Sequence, residues 1–199
     1  MHSITTASRF PGGFLPDWGV NIEGRPDAFS PNVIFCDEDY ARTLDIEMVE
    51  GRFISEAIAA DSVNNFFVNE TFVRENSLVE PIGTKMKFMS DTTYGQIVGV
   101  MKDFNFQGLN TDINPLVINA NHRRWQTGIK LSTTNISKTI SEIETLWAEI
   151  EPEHPMRYSF LDEDFAAQYA EQERFGETML YATLLTLFIA LLGLFGLTV

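Results

Sequence analysis

The most extended apolar pattern in the chain is the uncharged run from Met179 to Val199, MLYATLLTLFIALLGLFGLTV. A helix of this length would be about 31 Å long, close to the hydrocarbon thickness of a bilayer. The alternative is a soluble helix buried on every side, but a domain of this size seldom needs a helix with no polar face. The run therefore predicts a transmembrane helix. Residues 165–178 contain no proline and predict a connecting helix that continues into it.

The residues before this helix combine the patterns of strands and helices, which predicts the α+β class. Apolar runs of strand length cover residues 32–37, 66–68, 85–89, 96–101, 116–120, 128–131 and 156–161. Residues 85–89 and 96–101 flank the turn sequence Ser90-Asp91-Thr92-Thr93, so they should pair as a hairpin. Residues 1–32 are rich in glycine and proline and predict an irregular lead-in.

Three helices are predicted between these strands. Asp37 is expected to cap a short helix that ends at Leu44, and residues 70–76 predict a second short helix. A longer amphipathic helix should begin at Asn135 or Ser137 and pack on a sheet, because apolar residues recur at three- and four-residue steps before Pro152. Its apolar positions are Ile136, Ile140, Ile143, Leu146, Trp147 and Ile150.

Composition and motifs exclude several functions. The net charge of −14 disfavours nucleic acid as a partner. Cys36 is the only cysteine, which excludes an intramolecular disulfide and predicts a small buried side chain. The histidines are scattered, no hydrolase or redox motif occurs, and Asp162 to Asp164 are placed to favour a helix start. We therefore expect no catalytic residue, no metal, no cofactor and no enzymatic activity.

Small residues in the apolar run suggest a surface for another helix. Ala182, Thr186 and Ala190 recur at four-residue steps, and such a stripe lets a neighbouring helix approach closely. We therefore treat these three residues as a candidate face for packing between transmembrane helices. The aromatic residues Phe66, Phe67, Phe72, Phe104 and Phe106 could form a binding surface, but core positions are the preferred interpretation.

Several phrases, in order, resemble the extracytoplasmic core domain of FtsX-like, MacB-type ABC transporter permeases, particularly those of Bacteroidetes. The resemblance covers residues 33–199, and the phrases that carry it are VIFCDEDYARTLDIEMVEGRFIS, FFVNETFVRE, PIGTKMKF, QIVGVMKDFNFQGLNTDINPLVI and EPEHPMRYSFLDEDFAAQYAEQERFGE. GVMKDFNF and PMRYSFLDEDF are its most specific parts. The family has no catalytic motif in this region, so the resemblance implies no catalytic or ligand-binding residue.

The resemblance implies an architecture that agrees with the turns of the sequence. A porter-like α/β lobe would consist of residues 33–64 and 110–164, and residues 65–109 would form an inserted, smaller β-rich lobe. In the family this domain lies between the first two transmembrane helices of a four-helix unit. The run from Met179 to Val199 is similar to the helix that returns the chain to the cytoplasm.

The resemblance also implies a function and partners. The chain would be the periplasmic domain of a permease subunit in the cell inner membrane, with the residues before about 179 on the periplasmic side. It would couple ATP-driven helix movement to extrusion or extraction of a peptide, lipoprotein, lipid or drug. Its partners would be the rest of the permease, a second permease copy, a cytoplasmic ATP-binding subunit, the lipid bilayer and a periplasmic or lipoprotein component.

Two other functions remain open from the sequence. An extracytoplasmic sensor domain of a membrane-bound signalling receptor would also be acidic, α+β and joined to a membrane span by a continuous helix. A membrane-anchored enzyme is disfavoured by the absence of a converging polar motif. The first residues, MHSITTASRFPGG, lack the basic start and apolar region of a signal peptide. We therefore expect a membrane segment upstream, or a chain that is a piece of a longer protein.

Overall fold

The computed structural model describes residues 3–55, 65–107, 112–120, 123–132 and 135–198, and it leaves the side chains of residues 167–177 and 191–198 undescribed. The chain divides into two compact units, Met1–Tyr158 and Ser159–Val199. The first unit contains the sheets and three helices among its described residues, and the second consists mainly of one long helix.

A mixed sheet forms the centre of the first unit. Its strands are β2 (Val20–Ile22), β3 (Ala28–Phe29), β4 (Asn32–Phe35), β5 (Met48–Gly51), β6 (Phe66–Asn69), β7 (Lys85–Phe88), β8 (Gly95–Met101) and β9 (Leu116–Asn119). They follow the spatial order β3-β2-β7-β8-β6-β9-β4, and β5 also pairs with β8. The pairs β4–β9 and β6–β8 are parallel, whereas the other pairs are antiparallel.

A separate two-stranded ribbon pairs the start of the described chain with a later strand. It consists of β1 (Ser3–Ala7) and β10 (Gln126–Lys130), which run antiparallel. The helices of the first unit are α1 (Tyr40–Thr43), α2 (Glu70–Glu75) and α3 (Ile136–Ile150). The second unit contains α4 (Leu161–Thr198).

The central strands bury side chains on both faces, which explains why their sequences are apolar without alternation. Every residue of β4, β6 and β9 is buried. Because neighbouring side chains of a strand point to opposite faces, Ile34 joins one core cluster while Val33 and Phe35 join the other. Phe66, Phe67, Phe72 and Phe106 are buried in these clusters, and Phe104 packs against one of them. The prediction that these aromatic residues belong to the core is confirmed.

Several predicted elements are present. The β7–β8 hairpin pairs Lys85 with Gln96, as the turn between them indicated. Strands also form at residues 32–35, 66–69, 116–119 and 126–130, and α2 and α3 occupy the predicted segments. The mixed α/β class is thus confirmed. The division into two lobes stays a prediction; β6 and β9, which come from the two sides of that division, are paired in one sheet.

Residues 1–32 are not irregular as predicted, because residues 3–7, 20–22 and 28–29 form strands. In β1 the usual polarity is reversed: Thr5 is fully buried, whereas Ile4 is 41% exposed. The hydroxyl of Thr5 is satisfied inside the protein, since it donates to Asp37 Oδ1 at 2.5 Å. A periodicity based on apolar residues could not detect such a strand.

Asp37 is not the N-cap residue of α1, because that position belongs to Asp39. The Asp37 carboxylate nevertheless accepts the backbone N–H of Asp39 at 3.2 Å, in the turn that leads into the helix. It also accepts hydrogen bonds from Thr5 and from both the backbone N–H and the hydroxyl of Thr6, so it joins β1 to the end of β4. The helix begins later, after Asp39, whose side chain makes no capping hydrogen bond.

Two predictions for the segment after β10 are wrong within the described residues. Residues 156–160 form no strand, and Leu161 already belongs to α4. α3 has no buried residue, and Ile150 is 80% exposed, so its apolar face is not packed on a sheet as expected. The indole N–H of Trp147 instead donates to the carbonyl of His154 at 2.7 Å, which ties the helix to the segment that follows it.

α4 is one uninterrupted helix of 38 residues. At 1.5 Å per residue it is about 57 Å long. Its first turn contains Asp162, Glu163 and Asp164, where acidic side chains interact favourably with the helix dipole. Over the part of the chain that the structure describes, no helix meets the combined length and apolarity needed to cross a membrane. The side chains of residues 191–199 lie outside that part, and a transmembrane helix at 179–199 stays a prediction.

Candidate functional site

A hydrogen-bonded network joins two of the phrases that carry the family resemblance. Asp103, from the phrase GVMKDFNF, accepts the backbone N–H of Thr71 at 2.9 Å and the hydroxyl of Thr71 at 2.7 Å. The backbone N–H of Asp103 donates to Glu70 Oε2 at 3.0 Å. Arg74 completes the network by donating to the Thr71 hydroxyl. The network fixes the first turn of α2 to the segment that follows β8.

Asn69 provides a second connection from the same end of β6. Its Oδ1 caps α2 by accepting the N–H of Phe72 at 3.0 Å, and it also accepts the N–H of Leu116 at 2.9 Å. Its Nδ2 donates to the carbonyl of Asn114 at 3.0 Å. Asn69 therefore holds the start of α2 against the start of β9, and the phrase FFVNETFVRE has a structural role.

An exposed ion pair lies beside the Asp103 network. Lys102 Nζ is 2.8 Å from Glu47 Oε2. The hydrogen bond and the charge of Lys102 lower the pKa of Glu47, and the same contacts with Glu47 raise the pKa of Lys102. Both side chains are exposed, so water screens this pair and we assign it little stabilisation.

Cys36 lies in the core next to β4 and is not paired. Burial raises the pKa of its thiol well above the usual range, and the nearby charge of Asp37 acts in the same direction. Burial likewise raises the pKa of Tyr40, whose hydroxyl donates to the carbonyl of Arg9 at 3.3 Å. Because the thiolate is the nucleophilic form, this cysteine is chemically inert at neutral pH, and the prediction of a buried structural side chain is confirmed.

A polar cleft of about 430 Å³ opens between the segment before β4, the end of α2 and the segment before β9. Its lining includes Asp17, Phe29, Asn32, Glu75, Asn76 and Asn114. A series of amide side chains stabilises its walls: Gln107 Nε2 donates to Asn32 Oδ1 at 3.1 Å, and Gln107 Oε1 accepts from Asn114 Nδ2 at 2.8 Å. These residues are distant in sequence, and no spacing or motif indicated that they meet.

The predicted packing face on α4 is open in the structure. Ala182, Thr186 and Ala190 are all exposed. The Thr186 hydroxyl donates to the carbonyl of Ala182 at 2.8 Å, so it is satisfied within the helix and adds no unpaired polar group to this face. Packing of another helix against this face stays a prediction.

The uncharged run is exposed on all sides of α4 over its described side chains. Leu180, Tyr181, Leu184, Leu187, Phe188 and Ile189 each have more than half of their surface exposed. Large apolar side chains therefore lie around the whole circumference of this part of the helix. Among the described residues, no cluster of three or more histidine, cysteine or acidic side chains could hold a metal ion.

Three solved structures share the fold of this chain. The mixed α/β fold of the chain is that of the periplasmic and extracellular domains of ABC transporter permeases. The periplasmic region of MacB from Actinobacillus actinomycetemcomitans matches with a TM-score of 0.57 and 13% identity, over 75% of this chain and 67% of that one. The resemblance read from the sequence is thereby confirmed at the level of fold.

Two further solved structures have the same fold. A domain of a putative permease from Porphyromonas gingivalis matches with a TM-score of 0.55 and 11% identity, over 75% of this chain and 64% of that one. The extracellular domain of the noncanonic ABC-type transporter YknZ from Gram-positive bacteria matches with a TM-score of 0.56 and 7% identity, over 77% of this chain and 78% of that one. This chain thus spans less than two thirds of the Porphyromonas domain. No family model and no curated protein matches the sequence.

Proposed function

We propose that the chain is the extracytoplasmic domain of an ABC transporter permease subunit. In this role it couples ATP-driven movement of membrane helices to extrusion or extraction of a substrate on the outer side of the membrane. The observation that carries the proposal is the fold, which three transporter domains share at TM-scores of 0.55 to 0.57. The named neighbours are transporter domains rather than enzymes, which supports a role without catalysis.

The continuity of α4 supports the coupling part of the proposal. The helix runs from Leu161 to Thr198 without a break, and its described side chains from Met179 to Ala190 are uncharged and exposed. A continuous helix transmits displacement and rotation along its length, whereas a Gly/Ser linker would not. We therefore assign residues 165–178 as the connecting helix and residues 179–199 as the start of the membrane helix.

The proposal includes a location and partners. The residues before about 179 lie on the periplasmic side of the cell inner membrane, and residues 179–199 contact the lipid bilayer. The porter-like lobe contains residues 33–64 and 110–164, with residues 65–109 as the smaller lobe. The rest of the permease, a second permease copy, a separate cytoplasmic ATP-binding subunit and a periplasmic or lipoprotein component complete the assembly.

Co-purification tests the proposed assembly. The full-length gene product, tagged and extracted in mild detergent from its native membrane, should retain an ATP-binding subunit whose ATPase activity co-elutes with it. A tagged, unrelated inner-membrane protein serves as the control. Retention of a kinase or methyl-accepting signalling partner instead of an ATPase would contradict the transporter assignment and support a sensor.

Surface labelling tests the proposed location. Val79 is 95% exposed, so Val79→Cys should react with a membrane-impermeant maleimide in cells whose outer membrane has been permeabilised. The unsubstituted protein is the matched control, because its only cysteine, Cys36, is buried. Labelling of Val79→Cys only after the inner membrane is lysed would place the domain on the cytoplasmic side and contradict the proposal.

A further inference from the structure

One face of α3 is apolar and open over the part of the chain that the structure describes. Six apolar side chains recur there at three- and four-residue steps and so share one side of the helix, which we call the α3 stripe. They are Ile136, Ile140, Ile143, Leu146, Trp147 and Ile150. None of them is buried, and Leu146 is 59% exposed. The stripe is about 21 Å long at 1.5 Å per residue, and exposed apolar faces of this kind mark interaction sites.

The ring of Trp147 is held in a fixed position on this face. Its indole N–H donates to the carbonyl of His154 at 2.7 Å, and His154 Nδ1 lies 2.8 Å from Glu151 Oε1. The backbone N–H of Glu151 donates in turn to the carbonyl of Trp147 at 2.8 Å. These contacts satisfy the polar atom of the indole and order the ring before any partner arrives. A preformed aromatic surface lowers the entropic cost of binding, and tryptophan is enriched at the energetic centres of protein interfaces.

Acidic side chains border the α3 stripe on both sides. Glu142 is four residues from Leu146, and Glu144 is four residues from Ile140, so each glutamate is a neighbour of the stripe on the helix surface. Residues 136–153 contain five glutamates and one lysine, which lies 3.8 Å from Glu142. Within the described residues Glu144 makes no ion pair. The open apolar face therefore has flanks of negative charge.

We propose that the α3 stripe docks an amphipathic helix of a partner protein whose apolar face is flanked by lysine or arginine. Charges of opposite sign beside a shared apolar seam favour pairing and select the partner, as they do in coiled coils. A second copy of this chain would bring the same acidic flanks, and like charges disfavour that pairing. An anionic lipid surface would be repelled for the same reason.

The contact should be reversible and sensitive to salt. A single pair of helices buries less surface than a standard protein interface, and exposed charges are screened as the ionic strength rises. The inference does not depend on the proposed transport function, because it concerns α3 in the first unit and its test measures binding without transport.

Fluorescence anisotropy with the full chain in phosphatidylcholine nanodiscs tests the proposal. The probes are two fluorescein-labelled helical peptides of about 18 residues with leucine at heptad positions a and d. One peptide has lysine and the other has glutamate at positions e and g, and the signal from empty nanodiscs is subtracted. The lysine peptide should bind at least about tenfold more tightly than the glutamate peptide, and added salt should reduce this preference.

Leu146→Gln should weaken binding of the lysine peptide at least about tenfold, because it removes an apolar contact while glutamine keeps the helix favourable. Val79→Gln is the matched control: Val79 is 95% exposed and lies outside α3, so the affinity should change less than about twofold. Glu144→Lys should reduce the preference for the lysine peptide about fivefold, because one flank reverses its charge. Glu80→Lys makes the same change at an exposed position outside α3 and should alter the preference less than about twofold.

Several results would overturn the proposal. These are absence of binding, equal affinity for the two peptides, and equal effects of Leu146→Gln and Val79→Gln when both variants keep the circular dichroism of the unsubstituted chain. A dimer in sedimentation equilibrium that Leu146→Gln dissociates would assign the stripe to a second copy. Stronger quenching by brominated phosphatidylcholine in the unsubstituted chain than in Trp147→Phe would assign it to lipid. Either assignment would also contradict docking of a basic helix.

Discussion

Asp103→Ala should strongly destabilise the first unit. The substitution removes two hydrogen bonds to Thr71 and leaves the backbone N–H of this fully buried residue without its acceptor. Net contributions of hydrogen bonds to charged groups are about 1.5–3 kcal/mol, and a buried unsatisfied donor is destabilising by about 1–3 kcal/mol. Because these effects overlap, we expect a loss of about 3 kcal/mol. The Arg74 contact adds little, since Arg74 is largely exposed.

Urea unfolding followed by tryptophan fluorescence, to which Trp18 contributes from its position against the core, measures this loss. With an m-value of about 2 kcal/mol per molar urea, the midpoint should fall by about 1.5 M. Asp27→Ala is the matched control: Asp27 is exposed, so its midpoint should change by less than about 0.25 M. A midpoint for Asp103→Ala within about 0.25 M of the Asp27→Ala value would refute the assigned role of the network.

Two further predictions concern close packing and the buried thiol. Gly99→Ala should destabilise the protein by about 1–3 kcal/mol in the same urea assay, because a Cβ at this position would meet the Phe67 ring and the Arg52 carbonyl. Gly13→Ala is the control and should be nearly neutral, because a Cβ at Gly13 would meet open space. Equal urea midpoints for the two variants would contradict the described packing. Stability should fall as pH rises above about 8.5, because the folded state keeps the Cys36 proton that the unfolded state releases. The slope is at most about 1.4 kcal/mol per pH unit, and Cys36→Ala should flatten it between about pH 8.5 and 10; an unchanged slope would contradict the assignment to this thiol.

The elements that could be predicted from the sequence are those whose apolar pattern matches their burial. β4, β6 and β9 each contain three consecutive apolar residues, because these strands are buried on both faces. β1 could not be predicted, since it buries Thr5 and exposes Ile4. Residues 156–160 have an alternating sequence but form no strand, which shows that alternation alone does not provide a pairing partner.

The contacts between polar side chains could be predicted less well from the sequence. The short helix predicted at residues 70–76 agrees with α2, and its start is capped by the side chain of Asn69. Nothing in the sequence indicated that Asp103 would bind Thr71, because that contact depends on the parallel pairing of β6 with β8. The cleft likewise depends on tertiary structure, since Asp17 and Asn76 come from distant segments.

Mechanical coupling through α4 is the central claim, and an insertion near Gly176 tests it most directly in the full-length transporter. Seven residues of Gly and Ser should separate ATP hydrolysis from transport, because they interrupt the helix. Seven alanines are the matched control: they add about two turns, keep the helix continuous and nearly preserve its register. The ratio of substrate transported to ATP hydrolysed is the measured quantity. We expect this ratio to collapse with the Gly/Ser insertion and to be largely kept with alanine; equal ratios for both insertions would contradict coupling through a continuous helix.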